Sequence, residues 1–246
     1  MELDHLVINV RDRMDDATRT FEDLGFLVTP PSLHTLGSLN RTVVFDTSYI
    51  ELLGFPPGEP PAARPELGAR AAGPLAIVFR TADADATHRL LESGGFTPRP
   101  VQAFARPVSL GTGESRDARF RVTRLEPDAL PGAWIYFCQH LTPALIWRPE
   151  WRQHPNRARG IARIGVAVND TAIALPRYRL ATGAAVLHGA APALCLADGC
   201  RIDFLHVDAS HAEGIGMVRI SVADDAPGCV GDAMGLRLDL APMAQS

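Results

Sequence analysis

Along the chain, short apolar runs end in aspartate, pass into an amphipathic stretch and stop at glycine, and this pattern recurs. The run DHLVINVRD begins at Asp4, MDDATRTFEDLGF follows from Met14, and Gly25 stands nineteen residues after Leu6. GPLAIVFRTAD from Gly73 leads into ADATHRLLESGGF, and Ala76 to Gly95 is again nineteen. ARIGVAVND from Ala162 leads into TAIALPRYRLATG, with Ile164 and Gly183 at the same interval of nineteen. MVRISVADD at Met217 opens a fourth copy, but no helix-length segment follows it. Repetition of this kind sets the architecture before local detail does.

Side-chain period assigns the elements inside each copy. Met14, Ala17, Phe21 and Leu24 recur at three- and four-residue steps and predict a helix, with Asp12 placed to cap its start and Gly25 suited to the left-handed position at its end. Ala86, Leu90 and Leu91 predict the second helix, closed by Gly94 and Gly95. In the third, Pro176 predicts a kink or a late start. Strand-like runs follow each helix: 42–45 and 49–53, then 119–125 and 133–138, then 193–197 and 201–207, the last two joined by Asp198-Gly199. An Asp-Gly pair between apolar runs is a strong hairpin signal. The unit is βαβββ, present as three full copies and a truncated fourth, in an α+β fold.

Composition limits what such a chain can do. Its 246 residues are 46% hydrophobic, enough for a sizeable core, and no apolar run approaches a membrane span. The N-terminal residues lack the basic and apolar regions of a signal peptide, so a cytoplasmic location is expected. The four cysteines, Cys138, Cys195, Cys200 and Cys229, lack zinc-type spacing and read as buried thiols. All 24 basic residues are Arg. Schiff-base chemistry on lysine is therefore excluded, and any anionic group of a substrate would be held by Arg. A net charge of −4 with dispersed basic residues gives nucleic-acid binding no support.

Candidate chemistry gathers in the first copy. His5 lies on the first strand and Glu51 in the apolar run YIELLG, where an acid is costly to bury unless paired or metal-bound. His34, Asn40 and Arg41 lie between them. An imidazole with a carboxylate suits zinc, iron, manganese or nickel better than calcium. His34 or His140, just past a strand of the second copy, could complete such a site. Asn40 and Arg41 are candidate donors to a substrate. The segment QHLTPALIWRPEWRQHPN, 139–156, carries Trp147, Trp151 and His154, which either cover the cleft or staple two halves together.

The repeat with DHLVINV at its start, LGF after the helix and YIELLG at 49–54 resembles the vicinal oxygen chelate superfamily. The stretch HTLGSLNRTVVFDTSYIELLG, 34–54, is similar to its glyoxalase-like domain branch. The resemblance implies paired βαβββ modules forming concave mixed sheets around a divalent metal, with helices on the outer face. It implies a glyoxalase-like domain over 1–145, a Trp/Pro-rich link over 146–160 and a degenerate second pair over 161–246. It also implies a small-molecule substrate, with a homodimer left open. His5 matches the first-strand ligand of such a site and Glu51 the last-strand ligand.

The repeat tests that assignment. Aligned on the nineteen-residue spacing, the place of His5 falls to Leu75, Arg163 and Met217, and the place of Glu51 falls to Tyr136 and Asp203. A symmetric four-ligand site is absent on this alignment. Two classes of function stay open. One is a metal-dependent lyase or isomerase acting on a carbonyl or vicinal-oxygen compound, with His5, Glu51 and His140 as metal ligands, Glu51 moving a proton, and His34, Asn40, Arg41, Tyr136 and Trp147 contacting substrate. The other is a metal-free binder that sequesters a small molecule in the same cleft.

Overall fold

The structure, a computed structural model, describes residues 1–242 apart from 112, 190 and 209. The first module is β1 (Glu2–Arg11), α1 (Met14–Asp23), β2 (Ser32–Leu33), β3 (Leu39–Val44) and β4 (Tyr49–Gly54). A short α2 (Glu66–Ala69) leads to the second: β5 (Gly73–Arg80), α3 (Ala84–Ser93), β6 (Pro98–Ser109), β7 (Ser115–Leu125) and β8 (Trp134–His140). After two 3-10 turns come β9 (Ala158–Val168), α4 (Thr171–Thr182), β10 (Ala185–Leu187), β11 (Ala193–Cys195) and β12 (Arg201–His206). The fourth module has only strands: β13 (Gly214–Val222), β14 (Cys229–Ala233) and β15 (Leu236–Pro242). No helix among the described residues is long and apolar enough to cross a membrane.

Two curved mixed sheets result, ordered β2-β3-β4-β1-β5-β8-β7-β6 and β10-β11-β12-β9-β13-β15-β14. Each module pairs its first strand parallel to its last, and two modules join through antiparallel first strands, β1 with β5 and β9 with β13. Side chains alternate across β1. Leu6, Ile8 and Val10 enter the core on the helix side, while Val7 enters a second apolar cluster on the cleft side.

Local chemistry explains most element ends. Asp83 accepts the N–H groups of Asp85 and Ala86 to start α3, and Asp170 those of Ala172 and Ile173 to start α4. The start of α1 departs from expectation: Arg13, not Asp12, occupies the cap, with no side-chain bond, because the Arg13 N–H turns back onto the Val10 carbonyl. Gly25 closes α1 at φ +78. Helix α4 does not start late; it runs from Thr171 through Pro176. Ala172, whose carbonyl loses its partner to the missing N–H, is exposed, so water can serve it. The thiols also depart from expectation: Cys138 and Cys200 are buried, but Cys195 is half-buried and Cys229 exposed.

One apolar cluster runs through both sheets, joining Phe21, Phe26 and Leu130 to Ile164, Tyr178, Val218 and Leu238. The face of β13 and β15 that a fourth helix would cover is buried within it. Leu24 at the end of α1 lies against β14, where a Cβ on Gly231 would stand 2.6 Å from its Cδ2. Gly132, at φ +79, packs so tightly that a Cβ would stand 2.5 Å from Val166 Cγ1. His154 staples the link to the first half, accepting from Leu27 N–H at 3.0 Å and donating to the Val44 carbonyl at 2.9 Å.

Candidate active site

Strand alternation alone would send Asp4 to the helix side, with Leu6. A bulge prevents this: β5 pairs Phe79 with Leu3 and Val78 with His5, leaving Asp4 as the extra residue. Asp4 and His5 therefore stand side by side, a re-aiming of side chains that bulges commonly provide next to functional sites. Asp4 Oδ1 accepts from His5 Nδ1 at 2.6 Å and from His140 Nε2 at 2.9 Å, and Arg80 Nε reaches Oδ2 at 3.1 Å. Burial opposes a charge on Asp4, but His140 and His5 overcome it and hold the carboxyl well below the usual carboxylate range. An ionised carboxylate only accepts, so His5 carries a proton on Nδ1.

The far nitrogen of His5, Nε2, faces Glu51. His5 Nε2 lies 3.7 Å from Glu51 Oε2, and His34 Nε2 lies 3.8 Å from Oε1. Both gaps are too long for hydrogen bonds. Asn40 Nδ2 donates to Oε1 at 2.9 Å, and Ser38 Oγ holds His34 Nδ1 at 2.9 Å. His5 stacks on Tyr49 with centroids 4.3 Å apart. Burial works against the charge on Glu51, yet His5, His34, the Asn40 amide and Arg64 together lower its pKa. Burial pushes the His34 pKa down to about 3, with Arg106, Arg64 and Arg124 adding to the effect and Glu51 opposing it. His34 is thus neutral at pH 7.

Five of them, His5, His34, Asn40, Tyr49 and Glu51, line a small cavity of about 30 Å³ on the concave face of the first sheet, together with Arg64, Phe104, Arg106, Phe120, Arg124, Tyr136 and Cys138. Burial raises the Tyr136 pKa to about 12 against the pull of Arg64 and Arg124, so its phenol keeps its proton. Burial, then Asp4 and Glu51, hold the Cys138 thiol well above its ordinary value.

Of the residues proposed from sequence, His5, His34, Asn40, Glu51 and Tyr136 meet in this cavity. His140 lies behind His5, on Asp4, and makes no hydrogen bond to Glu51. Arg41 points to the other face of β3, its Nη1 3.4 Å from the Thr29 carbonyl. Trp147 stands against Tyr49 and His140, under the Arg80 guanidinium, and is not among the lining residues. His154 is on the helix side, between Phe26 and Phe45.

Register refines the comparison of modules. β1–β4 pairing sets Val7 against Glu51, and β5–β8 pairing sets Val78 against Tyr136, so Ala76 occupies the place of His5. The spacing to the helix had pointed to Leu75; the bulges in β1 displace that alignment by one residue. In the second sheet Gly165 faces Asp203, which puts Arg163 in the place of His5. Arg219 faces Asp239 in the fourth module, with Met217 in the place of His5.

Two imidazole nitrogens and a carboxylate, each imidazole oriented through its far nitrogen, form a donor set suited to a borderline divalent ion. A second cluster, Asp4, Cys138 and His140, has donor atoms within 4.8 Å of one another. It is the poorer candidate, since Asp4 is already paired with Arg80 and two imidazoles, and the thiol is held protonated.

Comparison with known proteins agrees with this architecture. A hypothetical protein from Staphylococcus aureus superposes with a TM-score of 0.78 at 13% identity, over 98% of this chain and 99% of that one. A xylose isomerase-like TIM barrel/4-hydroxyphenylpyruvate dioxygenase fusion protein matches with a TM-score of 0.60 at 13% identity, over 91% of this chain and 36% of that one. A mutant of 4-hydroxymandelate synthase from Streptomyces coelicolor matches at 0.56 and 12% identity, over 91% of this chain and 71% of that one. These likenesses are of fold. No curated protein matches the chain. The family model described as "Glyoxalase-like domain" matches residues 3–182, from β1 to the end of α4. By that match and by its paired βαβββ modules, the chain belongs to the glyoxalase-like domain family of the vicinal oxygen chelate superfamily.

Proposed function

We propose that the cavity of the first half is the centre of a divalent-metal-dependent lyase or isomerase acting on a small carbonyl or vicinal-oxygen compound. The observation that carries this reading is the Glu51 carboxylate flanked by His5 Nε2 and His34 Nε2 across gaps too long for hydrogen bonds. His5, His34 and Glu51 would hold zinc, iron, manganese or nickel, which would polarise a substrate oxygen when bound. Asp4 and Ser38 fix the two imidazoles, and the Asn40 amide steadies the carboxylate. Glu51, ionised at neutral pH, is the proton acceptor in this reading. Tyr136 keeps its phenolic proton and so donates to a substrate oxygen.

A second reading, metal-free sequestration of a small molecule, is favoured by Ala76 and Tyr136 at the places where a paired module would supply further ligands. Elemental analysis separates the two. Protein purified without chelators or an affinity tag, then supplied with zinc, manganese, nickel or iron(II), should hold about one equivalent of metal. His5→Ala should lose it while staying folded. Absence of metal under every condition would sink the enzyme reading and leave the binder.

A further inference from the structure

The cavity holds more positive charge than the proposed chemistry at Glu51 requires. Arg64, Arg106 and Arg124 are only 5%, 4% and 7% exposed, and Glu51 is the sole carboxylate among the residues lining the cavity with them. They converge from separate places: Arg64 from the loop before α2, Arg106 from β6 and Arg124 from β7. Their hydrogen bonds are incomplete. Arg64 donates through Nε to Glu66, but its Nη2 is buried without a partner. Arg124 gives Nη1 to Gln102 at 2.8 Å and lies 5.1 Å over the Tyr136 ring, while its Nε is unpaired. Arg106 makes no side-chain hydrogen bond among the described residues. The Tyr136 hydroxyl, buried at the same place, also lacks a partner.

Buried charges are normally paired, because an unpaired one forfeits its hydration with nothing in return. Burial lowers the pKa of both Arg106 and Arg124, with nearby negative groups too few to restore it. An oxyanion is the missing partner: guanidinium forks match its planar or tetrahedral oxygens, and a phenol adds one more donor.

We propose that the cavity binds a small molecule bearing an anionic oxygen group, carboxylate or phosphate, held by Arg64, Arg106, Arg124 and Tyr136 beside the His5–His34–Glu51 cluster. This names the substrate class for the site proposed above and rests on that site being the working one. An anion seated on the guanidiniums leaves the rest of the molecule at Glu51, whose charge is felt by both Arg64 and Arg106. The anion anchors the compound, and its carbonyl or hydroxyl oxygen is what reaches the imidazoles.

Thermal shift and calorimetry with three probes test this: pyruvate, its neutral ester methyl pyruvate, and inorganic phosphate. Pyruvate or phosphate should raise Tm in a saturable way, and methyl pyruvate should not; which of the two anions binds more tightly identifies the source of the oxyanion. Arg106→Gln and Tyr136→Phe should each weaken that binding by about tenfold or more. In anion-free buffer neither variant should lose Tm, since neither side chain makes a hydrogen bond there. A response equal for pyruvate and its ester, no response to either anion, or variants that lose Tm while keeping anion affinity would each overturn the proposal. Metal content of the same samples keeps the two readings apart. Metal with no anion response defeats this inference alone, whereas an Arg106-dependent response without metal defeats only the metal reading.

Discussion

At matching places in the two sheets a carboxylate meets different company. In the first, Glu51 faces two imidazoles at 3.7 and 3.8 Å, held in place by one amide. In the second, Asp203 is gripped directly by Arg163 and by Arg201, the latter at 2.6 Å, and is 1% exposed. The fourth module repeats the second solution, with Arg219 on Asp239 at 2.6 Å. A carboxylate clamped by guanidiniums of its own sheet has nothing left to offer a ligand. One whose neighbours stop short of it does. The same position in the same fold is thus closed in one sheet and left open to a ligand in the other, depending on whether the facing side chain closes the gap.

Three experiments bear on that contrast. The largest effect is expected from Glu51→Gln, which should weaken metal binding by about a hundredfold or more with little change in Tm. Asp203→Asn should leave metal content untouched; metal lost equally from both variants would erase the distinction. Next, Asp203→Ala should cost about 2 kcal/mol in urea unfolding, because it strands two partly buried guanidiniums. A smaller loss than Glu51→Ala would reverse the roles assigned to the two sites. The smallest effect sharpens a comparison among histidines. Both nitrogens of His154 are used by backbone groups, whereas His5 and His34 each keep Nε2 free of hydrogen bonds. Burial lowers the His154 pKa, partly offset by the Val44 carbonyl and Asp46. The unfolded chain therefore takes up the proton first. Stability from this group is complete above its ordinary value of 6.5 and declines as pH falls below it, by up to ~1.4 kcal/mol per unit. Unfolding measured at pH 7 and pH 5 should show a shallower loss in His154→Gln than in the native chain.

The parts of this site that could be read in the sequence are those with local contrast. An acid inside YIELLG and a histidine beside an aspartate stand out against apolar strands, and the helix-to-glycine spacing fixed the modules. Arg64, Arg106 and Arg124 did not stand out, because in a chain without lysine an arginine carries no distinction. They also come from a proline-rich loop and two strands of the other module, so only the closed sheet brings them to Glu51. Strand β6 was hidden by Pro98, Pro100 and Pro107, which an edge strand tolerates. The bulge at Asp4 could not be foreseen either, since it is defined by a partner strand some seventy residues away.

The missing fourth helix has a further consequence. Because the first half covers the face that helix would have covered, neither sheet is a self-sufficient piece. Cleavage within 146–160 would turn one molecule into two fragments with raw apolar faces, each seeking the other or a copy of itself. The link then acts as a tether, holding complementary surfaces at a local concentration that separate chains would not reach. An apparently dispensable second half becomes the surface on which the half with the candidate site is built.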